Sequence, residues 1–386
     1  MKIPSIRVLR EDFELLAEID LYTSLLFTRS WQGVGEFEFH VLGSRFLDLL
    51  REGAYIMLDN DGRRCGVIRS IQVDSGDGGL NVSVRGQTLD GLATQRCTVP
   101  IDDPLNGGYD NVPALTSSTA VPAPVAGETI LKTYAARHLT DSRGLDAARK
   151  IPRLTIAPDL GRGNKAVWMS RFEQLDAVLQ KAGEYTDLGW EIALDLAAQR
   201  LVFDVLPGVD RSVGQSQNNR VIFSLDFENI TSLSYAHDVL NLRNLAYAGG
   251  AGEGVDRIVP KVTNDSAEPA GLERFEIFLD CGDLESTETD TTMSLEEEAR
   301  HQLLDYKKVE SLTATIAPSG SFVYRKQWDL GDLVTLLDRR IGVEQDKRIT
   351  EVTERYEAQS FGIDVTFGAP PANIERVIRS IKNTVR

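Results

Sequence analysis

Residues 328–340 read WDLGDLVTLLDRR, with Asp332 just before an apolar run and Asp338 at its end. A pair of carboxylates is the equipment of glycoside hydrolysis, one acting as acid and the other as base or nucleophile. Fifty-eight Asp and Glu residues, however, make chance pairs abundant, so a pair counts only if a fold brings it together. The other candidates are sparse. His40, His138, His237 and His301 are dispersed. DNDG at 59–62 opens like a calcium loop, but Ser70 stands where such a loop needs its glutamate at position 12. GGAGEG at 249–254 lacks the spacing of a dinucleotide-binding turn, and no helix is expected after it. Cys65, Cys97 and Cys281 are an odd and scattered set, which argues against a disulfide framework and a Cys-based zinc site. There is no H-E-x-x-H, G-x-S-x-G, C-x-x-C or phosphate-binding P-loop motif. No catalytic, cofactor-binding or metal-ligating residue is therefore assigned, and the chain reads as a binding or structural protein rather than an enzyme.

The 386-residue chain that must position these residues has room for two to four domains. Its 42% hydrophobic and 26% charged composition is that of a globular protein. The N-terminus shows no secretory signal pattern, and no run is long and apolar enough for a transmembrane helix. A net charge of −16 repels phosphate and argues against ordinary nucleic-acid binding.

Period-two alternation marks strands over 24–31 and 35–41, where Phe37, Phe39 and Val41 alternate with Glu36, Glu38 and His40. Further strands are predicted at 54–58, 64–73 and 80–86, joined by turn-rich DNDGR and DSGDGG. The Pro-, Gly- and Ser-dense stretch at 99–127 is a loop. Helices are predicted over 128–139 and over 170–182. The second has Ser170 and Glu173 as a capping box, Phe172, Leu175, Leu179 and Ala182 on one face, and Gly183 as its stop. A hairpin follows at 190–205. Strands resume from 220, and Ser294 with Glu297 caps a helix running to about 306. An amphipathic, basic-faced helix is predicted over 371–386.

An internal repeat links the two strand-rich ends. An offset of 278 carries Gly53, Tyr55, Ile56 and Leu58 onto Gly331, Leu333, Val334 and Leu336. An offset of 281 carries Ile68, Ile71, Leu80, Val82 and Val84 onto Ile349, Val352, Phe361, Ile363 and Val365. Ile68 and Ile71 break strict alternation, and Ile349 and Val352 break it in the same way, which predicts a β-bulge at one shared position. Ala54 stands where the second copy has Asp332, so the shared feature is the glycine. Asp332 and Asp338 are then turn residues at the two ends of a strand.

The fold class is α+β, mainly β, with two related small closed β-barrels and an inserted α/β unit. The divisions are 1–98 (first barrel), 99–215 (middle unit), 216–258 with 307–370 (second barrel), 259–306 (insertion) and 371–386 (terminal helix).

Taken in order, LLFTRSWQGVGEFEFHV, RKIPRLTIAPDLGRG, LPGVDRSVGQSQNNRVIFSLDFENI and DLGDLVTLLDRR…KRITEVTERY…GIDVTFG resemble the hub protein of a siphophage tail tip. The resemblance implies a structural virion protein with no catalytic residues, located at the tail tip and in the host cytoplasm during assembly. It implies a homotrimer whose six barrels match a distal tail protein hexamer above. It also implies contacts with the tape measure protein and with tail fibre or receptor-binding proteins, and a channel that passes DNA without specific binding. The peptidase or fibre domain that follows the second barrel in some hubs is expected to be missing here. A tail-associated cell-wall hydrolase or a receptor-binding module are the competing expectations.

Overall fold

A computed structural model describes residues 3–76, 79–100, 108–114, 123–281, 295–317, 320–357 and 360–368. The terminal helix predicted over 371–386 and the capping residue Ser294 lie outside these.

The strand-rich ends form one 13-stranded sheet. The N-terminal half contributes β1 (Ile6–Leu9), β2 (Leu15–Ile19), β3 (Ser24–Ser30), β4 (Glu36–Leu42), β5 (Tyr55–Leu58), β6 (Cys65–Gly76) and β7 (Gly79–Thr88). The C-terminal half contributes β8 (Ile222–Ser224), β9 (Ile230–Asp238), β10 (Val309–Ile316), β11 (Leu333–Asp338), β12 (Val343–Glu357) and β13 (Ser360–Gly368). The order runs β9-β10-β13-β12-β3-β4-β7-β6-β5-β1-β2, with β11 on β12 and β8 on β11.

The expected closed barrels are therefore corrected. No closed barrel is found among the described residues. Each half has its own core, around Phe27, Phe39, Ile56, Val82 and Val84 in one and Phe223, Leu312, Val334, Val365 and Phe367 in the other. The edge that closure would have covered is instead paired across the halves. β3 lies antiparallel to the second half of β12, from Glu351 opposite Ser30 to Glu357 opposite Ser24. A strand edge needs a backbone partner, and another strand serves as well as the far side of its own barrel.

The repeat is present in the hydrogen bonds. Gly53 and Gly331 have φ of +86° and +87°. Gly53 N donates to Ile68 O and Ile68 N to Ala54 O; Gly331 N donates to Ile349 O and Ile349 N to Asp332 O. Tyr55 faces Val67 as Leu333 faces Arg348. The register shifts between Ile68 and Ser70 on β6 and between Ile349 and Glu351 on β12, so the extra residues are Arg69 and Thr350, which correspond. The equivalence extends to the strands beyond. Leu25 faces Phe39, which faces Val84; Leu233 faces Ala314, which faces Val365. Thus β3 and β9, β4 and β10, β5 and β11, β6 and β12, and β7 and β13 are counterparts.

One contact distinguishes the two glycines. A Cβ on Gly53 meets nothing within 4 Å, whereas a Cβ on Gly331 falls 2.0 Å from the Trp31 ring. Gly53→Ala incurs only left-handed strain, about 1 kcal/mol. Gly331→Ala adds a clash with a tryptophan 2% exposed, and about 3 kcal/mol is expected in total. Denaturant midpoints of the two variants check this; equal losses would remove Trp31 as the cause.

Between the halves lie α1 (Gly127–Leu139), α2 (Leu175–Thr186) and the hairpin of strands Gly189–Asp195 and Arg200–Leu206. Ile130, Leu131, Tyr134 and Leu139 of α1 and Leu175, Leu179 and Ala182 of α2 share one core with Met57 and Val67. The first helix matches its expected span, but the second is displaced. Ser170 ends a short strand, Trp168–Ser170, and Thr98 binds the following stretch, accepting from Phe172 N and donating to Glu173 O. Phe172 is consequently 62% exposed. The helix continues past Gly183 to Thr186 and is capped by Asp187, which has φ 57°. Ser170 Oγ still bonds Glu173 Oε1 at 2.8 Å, so the two residues pair without capping a helix.

Strand Leu245–Gly249 joins Lys261–Val262 and Glu276–Asp280 rather than the large sheet. With α3 (Leu295–Leu303) these strands form a fourth core around Ala246, Leu279 and Ala299, so this small unit begins before residue 259.

Candidate functional site

The carboxylates of Asp332 and Asp338 are kept apart by β11. Asp332 precedes it and Asp338 ends it, about 20 Å apart at the rise of an extended chain. Asp332 is buried and accepts from Val209 N, Arg211 Nε at 2.7 Å and Asp329 N. Burial holds its carboxyl above the ordinary value despite Arg211. Asp338 accepts from the backbone and guanidinium of Arg340, which holds its carboxyl below that value. Asp338 is a local brace, whereas Asp332 ties the start of β11 to the Val209–Arg211 segment more than 120 positions earlier, and both have their acceptors in use.

The histidines are likewise absorbed. His138 Nε2 lies 2.6 Å from Asp110 Oδ2, and both side chains are fully buried. Burial lowers the imidazole pKa, although Asp110 opposes this. A general base must reach substrate, and this pair instead ties α1 to the strand at Asp110–Val112. His301 stacks on Trp168 with centroids 4.0 Å apart, and burial lowers its pKa to about 3. His40 contacts Glu38, and His237 contacts Tyr235. DNDG is the β5–β6 turn, with Gly62 packed on the backbone of Leu194. Gly249 and Gly250 accept from Arg257. The three cysteines are free thiols, Cys65 and Cys281 of them buried. Among the described residues no group of three or more His, Cys, Asp or Glu is placed to hold a metal ion.

A cleft of about 240 Å³ opens between β3, α2 and β12. Its charges are already matched: Arg348 pairs with Asp187 at 2.7 Å and Lys307 with Glu184.

The most concentrated polar chemistry lies along the seam between the halves. Arg64, just before β6, donates to Asp61, to Glu354 on β12 at 3.0 Å and to Tyr356. Glu354 is 1% exposed. Its Oε2 also accepts from Tyr356, and its Oε1 has no hydrogen-bond partner. Arg325 crosses the seam to Asp61. Arg29 on β3, 5% exposed, donates to Asp329 at 2.8 Å and to the Tyr324 hydroxyl. Thr28 and Thr353 share a hydroxyl contact of 2.9 Å. Sequence reading missed the contacts that cross the seam, because their partners are hundreds of positions apart. The only signal was weak: Glu354 breaks the apolar alternation of β12 at an inward position.

Such an arrangement joins the two halves of the sheet. Three solved structures share the fold over nearly their whole length. The tail protein of Neisseria meningitidis MC58 has 14% identity and a TM-score of 0.54, covering 95% of this chain and 96% of that one. The 43 kDa tail protein of prophage MuSo2 from Shewanella oneidensis has 12% identity and a TM-score of 0.54, covering 95% and 99%. Prophage tail protein gp18 from Listeria monocytogenes EGD-e has 12% identity and a TM-score of 0.52, covering 99% of each. No curated protein sequence matches the chain. The model of the siphovirus ReqiPepy6 Gp37-like proteins matches residues 5–369, and the chain belongs to that family of phage tail proteins.

Proposed function

We propose that the chain is the hub subunit of a siphophage tail tip, a structural and non-enzymatic component that assembles as a homotrimer. The observation that carries this reading is the duplication: two β units with the same ladder, the same bulge and the same left-handed glycine in one chain. Three such chains present six equivalent units, the number needed to meet a hexameric distal tail ring under closed rotational symmetry. In this position the hub closes the tube, contacts the tape measure protein, carries fibre or receptor-binding proteins, and opens for DNA. The net charge of −16 suits passage without specific binding. No helix among the described residues is long and apolar enough to cross a membrane.

Copy number in isolated tails tests the reading. Three copies for each six of the distal tail protein are expected, and six copies would overturn the six-from-three argument.

A further inference from the structure

The seam between the halves uses two backbone edges, and each has a counterpart in the same chain. The first half offers the outer edge of β3, and the second offers the edge of β12 over Glu351–Glu357. The counterpart of β3 is β9. It lies at one end of the sheet and pairs only with β10 among the described residues. The counterpart of Glu351–Glu357 is Ser70–Gly76 on β6. Beyond the bulge, this stretch pairs with β7 on one side and, among the described residues, with no strand on the other.

From this we infer that β9 of one copy pairs antiparallel with Ser70–Gly76 on β6 of the next copy, repeating between molecules the ladder that joins β3 to β12 within one. The inference rests on the ring proposed above and names the contact that builds it. Transferring the internal register sets Asp238 opposite Ser70, His237 opposite Ile71, Ala236 opposite Gln72 and Tyr235 opposite Val73. It continues with Ser234 opposite Asp74, Leu233 opposite Ser75 and Ser232 opposite Gly76.

Three further observations favour a second copy as the occupant. First, the exposure is anomalous. Phe27 and Glu354 face each other at the internal seam and are 0% and 1% exposed, whereas their counterparts Tyr235 and Val73 are 40% and 41% exposed. A neighbour's strand would cover both. Second, neither edge is defended. Natural proteins blunt long free edges with proline, lysine or inward charges. Ser70–Gly76 holds one charged residue, Asp74, and no proline; Ser232–Asp238 holds Asp238 and no proline or lysine. Neither aspartate is set opposite another carboxylate. Third, the buried ion pair is removed from both counterpart positions together. Arg64 corresponds to Gln345, and Glu354 corresponds to Val73. A contact between copies would therefore trap no unpaired charge where the internal seam holds Arg64 and Glu354, and stranding one member of such a pair is costly.

The contact is heterologous, one edge against a different edge, so a rotation that closes gives a ring in which neither of these two edges is left free. The pairing is a strand addition in which backbone bonds supply affinity and alternate side chains set the register.

Cysteines at Val73 and Tyr235 test this in assembled tails, with Cys97→Ser to remove the one native thiol that is not buried. Directly opposed Cβ atoms lie within disulfide reach, so V73C/Y235C should cross-link about tenfold faster than Q72C/Y235C, whose side chains point to opposite faces. Cross-linking ending at three chains is the expected result. Tails that contain three copies without a V73C/Y235C cross-link overturn the edge pairing and leave the trimer standing. Cross-links that run to six chains confirm the edge pairing and overturn the trimer. Equal rates for the two cysteine pairs overturn the register. Should the cysteine variants fail to assemble, Val73→Glu with Tyr235→Glu is expected to block tail assembly with unchanged folding, and Val73→Lys with Tyr235→Glu to restore it. Assembly unaffected by the paired glutamates would refute the contact.

Discussion

An Arg64→Met variant unfolds at a markedly lower denaturant concentration than the parent, with an expected loss of about 3–5 kcal/mol. Methionine fills most of the same volume, so little of this is packing. The loss comes from Glu354, 1% exposed, which is left with the Tyr356 hydroxyl on Oε2 and nothing on Oε1. A buried carboxylate without its cation must take up a proton or draw in water. Glu354→Gln in the same background removes the stranded charge, so the double variant should recover most of the loss. The coupling from this cycle isolates the pair from its surroundings. Arg64 and Glu354 belong to different halves of the sheet, so the variant also loosens their junction. Cleavage by protease in the native state should increase near the seam, where the halves separate first. A loss of no more than about 1 kcal/mol, the usual effect of a point substitution, would show that Glu354 is satisfied without Arg64.

Asp90→Asn changes the pH dependence of stability in a direction that can be stated in advance. Asp90 is buried, 7% exposed, where β7 meets the middle unit. Its Oδ1 accepts from Ile192 N at 2.6 Å and its Oδ2 from the Thr88 hydroxyl at 2.9 Å. Burial pushes its pKa up to about 7 from an ordinary 3.8, although both hydrogen bonds oppose this. Below about pH 4 the carboxyl is protonated in the folded and unfolded chains alike, and it costs nothing. Between pH 4 and 7 the unfolded chain releases the proton while the folded chain keeps it. The folded state then loses up to about 1.4 kcal/mol per pH unit, or roughly 4 kcal/mol across the interval. Above pH 7 both forms are ionised and the loss levels off. The amide that replaces the carboxyl never ionises, and it keeps an oxygen for Ile192 N. The variant is therefore expected to match the parent near pH 4 and to exceed it near pH 8. Midpoints measured from pH 4 to 8 check this; parallel curves for the two proteins would show that Asp90 does not titrate across that range.

Features of the fold were legible in the sequence where the physics that sets them is local. The period-two runs, the shared glycines at 53 and 331, and the broken alternation at Ile68/Ile71 and Ile349/Val352 are written in a few adjacent residues, and the ladders and bulges follow them. The span of α1 was equally local, because its apolar stripe is continuous. The turn role of Asp338 at the end of β11 is local, resting on Arg340 two residues on, whereas the tie from Asp332 to Val209 and Arg211 was not legible. The start of α2 was not legible. Ser170 and Glu173 satisfy the pattern of a cap, but Thr98, more than seventy residues earlier, takes the backbone groups a cap would have used.

The choice of strand partners was beyond the sequence for a deeper reason. Every strand edge presents the same N–H and C=O groups, so no residue pattern says whether β3 closes its own barrel or pairs with β12. Tertiary geometry selected β12, and with it which buried charges meet. Arg64 and Glu354 are individually unremarkable polar residues until the sheet sets them 3.0 Å apart. Residue patterns alone were enough to specify two copies of one β unit, with their bulges and turns. That the copies share a sheet was settled only in the folded chain, because edge pairing is a property of surfaces left over after each core has formed.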